Sequence, residues 1–312
     1  MVGIGELLWD VAPDGKRLGG APANFAVMAG RLGNRAFILS RIGRDKLGRE
    51  SIRHLNPMPV DTSCIQFDPA LETGRVTVEL PDGEPRYTIH APAAWDFIES
   101  SDDWTRLAES ADAVCFGSLA QRNSNARKTI QMLAARARAN CVRVFDVNLR
   151  QPFYSAEVIE GSIALATVVK MNDAEVPLVI ELLGLNLKET FAGAASPASP
   201  VYLRAAAERL LDRFPGITLV AVTRGSRGSL LVTRDAWDEH PGFAVRVADG
   251  IGAGDAFTAA LTHYLLRGAG LATLNEAGNR WGSWIASQSG AMPALPDSVR
   301  DAITAAIERA EG

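Results

Sequence analysis

Between Asp112 and Thr223, short apolar runs alternate with longer amphipathic ones. The strand candidates are DAVCFGS, VRVFDVN, TVVKMN and ITLVAVT. Between and after them lie helix candidates: NARKTIQMLAARARA, a stretch near 155–166, DAEVPLVIELLGL and a stretch near 201–213. Repeated strand–helix units predict parallel strands, because a parallel return needs a long crossover that a helix supplies, and both sheet faces are then covered. Ligands of such open sheets bind beyond the carboxyl ends of the strands. The residues that close each strand are therefore the ones to inspect for chemistry.

Upstream, VGIGELLWDV reads as one strand and PDGKRLGG as a turn. Phe25, Met28, Ala29 and Leu32 then fall at i, i+3, i+4 and i+7, one apolar face of a helix entered near Pro22 and stopped at Gly33. RAFILSRIG predicts a strand and DKLGRESIRHL a short helix. Residues 60–98 have a different character. GRVTVELPDGEPRYTIH alternates residue types around Asp82-Gly83, a strong hairpin signal, and predicts a small antiparallel piece against the main body. AGAASPASP (192–200) predicts a surface loop too short to link domains, and no internal repeat is present.

Composition excludes several classes of function. The net charge of -4 gives no electrostatic reason to expect a nucleic-acid or anionic-membrane partner. No apolar run approaches the roughly 18 residues needed to span a bilayer, and the first residues lack a basic region, so a cytoplasmic protein is expected. Cys64, Cys115 and Cys141 are odd in number and scattered, which predicts buried thiols rather than a disulfide framework. His54, His90, His240 and His263 form no pair at metal-binding spacing, so a metal held by protein ligands alone is not expected.

The segment DGIGAGDAF (249–257) concentrates three glycines and two acids in its first seven residues, then enters the apolar stretch TAALTHYLL. It is neither a Walker-type phosphate loop, which needs Lys and Ser or Thr, nor Gly-x-Gly-x-x-Gly. Gly252, Ala253 and Gly254 can still turn sharply and expose backbone N–H groups at a helix start. Phe257, Ala260, Leu261, Tyr264 and Leu265 would form the buried face of that helix. Asp255, in the first turn, is either an acid favoured by the helix dipole or a general base beside an anion hole.

This segment, together with GGAPANFAVMAGRLG (19–33), resembles the two signatures of the ribokinase-like, or PfkB-type, carbohydrate kinase family, and the resemblance covers essentially the whole chain. It implies an α/β fold: a doubly wound, mostly parallel sheet between helices, with a small β lid. Residues 1–312 would form one kinase domain, with lid strands drawn from about 8–20 and 60–98. By this resemblance Asp255 is the catalytic base, and the amides of Gly252, Ala253 and Gly254 form the anion hole. Asp249 and the Ile251 carbonyl, with carbonyls around 286–291, would hold a monovalent cation such as K+; a helix-side cap is the alternative for Asp249. Gly250 departs from the family pattern, which has threonine there.

The resemblance also implies that Asp10, Gly19, Gly20 and Asn24 bind sugar hydroxyls, the alternative being a plain turn and a first-turn polar residue. Arg150 is expected near the sugar or the transferred phosphate. Asn172 and Glu175 would lie by the nucleotide phosphates and hold Mg2+ through water, or Asn172 or Asp173 would simply cap a helix. Thr223, Gly225 and Gly228 resemble the nucleotide loop, or form only the turn before the hairpin SLLVTRDAWDEHPGFAV. Asn279 would begin the adenine pocket, or be an ordinary helical asparagine.

GELLWDVAPDG, GEPRYTI, AWDFI and DVNLRQPFY look like the bacterial fructokinase branch. Trp95 and Phe97 would then be lid or pocket residues on the sugar, or core aromatics. The implied function is ATP- and Mg2+-dependent phosphorylation of D-fructose at its 6-hydroxyl, with a homodimer through the lid as a further expectation. A kinase for another sugar or sugar acid is the alternative. A non-catalytic sugar sensor would be expected to have lost Asp255 or the glycines, and a dehydrogenase would need a dinucleotide fingerprint that GIGELL lacks.

Overall fold

The computed structural model describes residues 1–79, 86–185, 187, 196 and 199–311. In chain order its elements begin with β1 (Val2–Ile4), β2 (Leu8–Ala12), β3 (Gly15–Gly19), α1 (Ala21–Arg31), β4 (Phe37–Leu39), β5 (Arg41–Gly43) and α2 (Lys46–Leu55). Next come β6 (Gln66–Asp68), β7 (Gly74–Glu79), β8 (Arg86–Ile89), α3 (Asp102–Ser110), β9 (Ala113–Gly117), α4 (Ser124–Arg136) and β10 (Val142–Asp146). These are followed by α5 (Ala156–Leu165), β11 (Val168–Asn172), α6 (Glu175–Leu182), α7 (Pro200–Arg213), β12 (Leu219–Thr223), β13 (Ser229–Val232) and β14 (Trp237–His240). The last three helices are α8 (Ala253–Leu265), α9 (Leu271–Ala286) and α10 (Asp297–Glu311).

The main sheet runs β14-β13-β12-β11-β10-β9-β1-β4. Its strands from β4 to β12 are parallel, and β13 and β14 close one edge as an antiparallel hairpin. Successive residues of the central strands enter opposite cores: Val114, Phe145, Val169 and Val220 pack toward α3 to α7, while Cys115, Val144, Val168 and Ala221 pack toward α1, α8 and α9. That is the expected result of a two-residue side-chain period in a sheet covered on both faces. The chain starts at β1 and builds outward on both sides, so the order reverses there, and the carboxyl ends of β1 and its neighbours are where such sheets bind ligands.

A four-stranded sheet, β3-β2-β7-β8, springs from the carboxyl end of β1. Leu7, Trp9 and Leu18 pack it against Ala23 and Val27 of α1 and against Ile42 and Leu55. β7 and β8 pair antiparallel with Glu79 opposite Arg86; the Asp82-Gly83 turn between them lies outside the described residues. The loop AGAASPASP falls almost wholly outside them too, and its last residue, Pro200, opens α7.

Two expected strands are each divided. VGIGELLWDV becomes β1 in the large sheet and β2 in the small one, and PDGKRLGG supplies β3 after its turn. RAFILSRIG breaks at the buried Ser40 into β4, in the large sheet, and β5, which pairs with β6. An apolar run records which residues are buried, not which partner strand each half takes. α3 and α10 have no counterpart in the sequence reading. Ser101, whose hydroxyl accepts the Trp104 N–H, with Asp102 and Asp103 behind it, is the capping signature that marks α3.

Candidate active site

The start of α8 is shaped by backbone demand. Gly252 has φ 79°, and a Cβ there would lie 2.6 Å from the Ala291 side chain, so only glycine fits. No side chain caps this helix; the Ala253 N–H makes a long 3.4 Å bond to the Gly250 carbonyl, and the Gly254 and Asp255 amides are left for an anion. Asp255 stands in that turn, half-buried. Burial and the neighbouring Asp146 push its pKa up to about 6, against the opposing pull of Lys170, the Asn24 hydrogen bond and Arg150. A carboxylate poised near neutrality and held beside open amides suits proton abstraction next to a developing anion.

The N-terminal glycine motif meets it. Asn24, on the first turn of α1, donates from Nδ2 to Asp255 Oδ2 across 2.7 Å. Its Oδ1 is buried with no partner. Gly20, at φ 117°, lies where a Cβ would meet the Glu6 carbonyl at 2.3 Å, so the turn must be glycine for the chain to enter α1. Gly19 leaves open the space beside Asp10, whose Oδ2 would be 3.3 Å from a Cβ there. Burial raises the Asp10 pKa to about 6, opposed by Arg150 and Arg17. The exposed Arg150, whose guanidinium donates to the Leu149 carbonyl at 3.0 Å, lowers the pKa of Glu6, Asp10 and Asp255 alike.

The strand ends beyond β11 and β12 hold the remaining expected residues. Asn172 Oδ1 accepts the Glu175 N–H at 3.0 Å and Glu175 Oε2 accepts the Asn172 N–H at 2.8 Å, a reciprocal cap on α6. Glu175 Oε1 also takes the Leu149 N–H at 2.8 Å. Each carboxylate oxygen thus keeps one lone pair, which fits an acceptor for metal-bound water and not a ligand that encloses an ion. No group of three or more His, Cys, Asp or Glu capable of holding a metal occurs among the described residues. Thr223 closes β12, Gly225 opens a single 3-10 turn, and Gly228 ends it where β13 begins. Asp249 caps its own turn: Oδ1 accepts the Ile251 N–H at 3.0 Å and Oδ2 accepts the Gly290 N–H at 2.7 Å. A Cβ on Gly250 would meet nothing within 4 Å, so the missing threonine removes no packing.

Two residues take up, in this structure, the alternative that the sequence left open beside a binding role. Trp95 is 1% exposed, with the Arg122 guanidinium 3.9 Å over its ring and Asp96 clamping that arginine, so it offers no face to a sugar. Its place is the core; Phe97 beside it is half-buried, with its carbonyl held by Arg41. Asn279 donates to Ser229 Oγ at 2.6 Å and to the Asn275 carbonyl at 2.8 Å, so its buried amide anchors α9 to β13 rather than opening an adenine pocket.

Three charged residues without an assigned role in the sequence reading also belong to the site. Lys170 and Asp146 form a buried pair beneath α8, and Glu6 lies buried behind the Gly20 turn, accepting the Ala21 N–H at 3.3 Å. Burial pushes the Glu6 pKa up to about 7. The signal for Lys170 and Asp146 was their position at strand ends; the signal for Glu6 was an acid directly after an apolar strand.

Known proteins resemble this chain over most of their length. An uncharacterized sugar kinase of Pyrococcus horikoshii is 31% identical over 285 residues, 86% of this chain and 83% of its own. Its solved structure covers 99% of this chain and 98% of its own with a TM-score of 0.81, and it has also been solved in complex with ATP. The fructokinase of Klebsiella pneumoniae is 30% identical over 311 residues, 94% of this chain and 95% of its own. A fructokinase of Vibrio cholerae, solved with fructose, ADP and a calcium ion, is 28% identical, covers 97% of both chains and superposes with a TM-score of 0.78. The architecture is thus the ribokinase-like α/β fold. Residues 5–298 match the family model for pfkB carbohydrate kinases, and the chain belongs to that family.

Proposed function

We propose that the protein is an ATP-dependent fructokinase that phosphorylates D-fructose on its 6-hydroxyl. The observation that carries the reading is Asp255: a carboxyl with its pKa near 6, held by Asn24 at the uncapped start of α8. The sugar lies between Asp10, the Gly19-Gly20 turn and the free Oδ1 of Asn24, and the small sheet closes over it to exclude water. Asp255 accepts the hydroxyl proton as the sugar oxygen attacks the γ-phosphorus of ATP, and the amides of Gly252, Ala253 and Gly254 receive charge on the phosphoryl oxygens. Arg150 offsets the negative charge that gathers between the sugar pocket and the phosphates. Glu175 and Asn172 would orient the water shell of a Mg2+ brought by the nucleotide, which when bound neutralises phosphate charge. The Gly290–Asp249 contact places the 286–291 segment beside the 249–251 turn, the juxtaposition a monovalent cation would need.

Fructose is favoured by the relatives named above. A panel of hexoses, pentoses and sugar acids with ATP, read as ADP released, tests both levels of the proposal. Fructose-dependent release with fructose 6-phosphate as product is expected. Release with a different sugar only would correct the substrate, and no sugar-dependent release would remove the kinase activity itself.

A further inference from the structure

Lys170 occupies an unusual position. It is 8% exposed, and its ammonium lies 3.1 and 3.2 Å from the two oxygens of Asp146. A Cβ added to Gly254 would sit 2.8 Å from Lys170 Nζ, so the ammonium occupies the space that a side chain at position 254 would need. Asp146 is tied in turn to α8, because the Thr258 hydroxyl lies 3.3 Å from its Oδ2 while bonding the Gly254 carbonyl at 2.8 Å. A cation at the positive end of a helix opposes the dipole, and a buried ion pair returns little net stability. Both unfavourable choices coincide beneath the uncapped first turn of α8.

We infer that the Lys170–Asp146 pair is a positioning unit of the reaction centre: it fixes the Gly254 turn and sets the charge that the carboxylate of Asp255 experiences. The two members act in opposite senses, Lys170 favouring the ionised form of Asp255 and Asp146 opposing it. The other titratable groups near this turn and its ion pair are Glu6, Arg150, Glu175 and the neutral thiol of Cys115. On α9, packed along α8, Glu276 and Arg280 pair with each other.

The inference rests on the kinase reading, and its test separates the two. The measurement is the acid limb of kcat/KM against pH for Lys170→Met, Asp146→Asn and the double variant, each checked for folding by thermal melting. Lys170→Met is expected to move the limb to higher pH and Asp146→Asn to lower pH, with the double variant between them and kcat reduced at least tenfold in all three. A residue with only a structural role would not shift the limb in opposite directions. Should Lys170→Met fail to fold alone, the same change in the Asp146→Asn background leaves no buried anion unpaired and must still move the limb upward. Limbs that coincide, or move the same way, overturn the inference. The absence of any sugar-dependent ADP release from the unmodified protein would instead overturn the kinase reading.

Discussion

Asn24 Nδ2 and Asp255 Oδ2 meet at 2.7 Å although 231 residues separate them. This bond joins the first turn of α1 to the first turn of α8, and so links the glycine motif proposed to bind sugar to the proposed base. It consumes one face of the asparagine amide and leaves Oδ1 buried and free for a donor.

Asp255→Asn is expected to lower kcat by about 10²–10⁴-fold, the range that general-base catalysis supplies. Sugar and ATP should bind nearly as before, measured by calorimetry, since the amide is isosteric. Asn24→Ala removes a hydrogen bond to a charged group and is expected to reduce kcat roughly tenfold to a hundredfold. A fully active Asp255→Asn enzyme would remove the base from the mechanism.

In the unmodified enzyme, kcat/KM should be full above neutrality and fall as pH drops through about 6. Asp255 must be ionised to accept a proton, and its pKa is raised to about 6 by burial and Asp146. Asp10, also at about 6 through burial, protonates over the same range and should steepen the limb. A profile measured from pH 5 to 9 and flat across pH 6 would contradict this.

Stability runs the other way at Glu6. Its folded pKa of about 7 lies above the ordinary 4.5, chiefly through burial, so its contribution is fully present below about 4.5 and is lost as pH rises through about 7. The shift corresponds to about 3 kcal/mol. Glu6→Gln can still accept the Ala21 N–H, and should gain stability over the unmodified protein between pH 5 and 8, up to that amount, in urea denaturation. Parallel stability curves for the two proteins would refute it.

Neighbouring glycines should behave oppositely. Gly252→Ala meets both a left-handed φ and the Ala291 side chain at 2.6 Å, and should cost more than about 1 kcal/mol with loss of turnover. Gly250→Ala enters open space at an ordinary φ; activity should persist and stability rise by about 0.4–1 kcal/mol. Melting temperature and kcat, measured together, check both.

The strand–helix rhythm made the parallel sheet legible, since burial on both faces leaves continuous apolar runs in β9 to β12. It did not reveal where VGIGELLWDV and RAFILSRIG change sheets, because pairing partners lie far away in the chain. Trp95 shows the same boundary at the level of a side chain. An aromatic in the lid region suits a sugar platform or a core equally well, and Arg122 and Asp96 decide for the core.

Glycine and a first-turn acid in DGIGAGD are local requirements of a tight helix entry, and for that reason the sequence by itself determined where the proposed reaction centre is placed. The charge state of that centre was settled only by tertiary structure. Glu6 follows β1, Asp146 and Arg150 belong to the end of β10 and the segment after it, and Lys170 lies within β11, so they reach Asp255 from three strands. Electrostatic interaction depends on distance and burial in space, and neither is encoded in the local pattern of the chain.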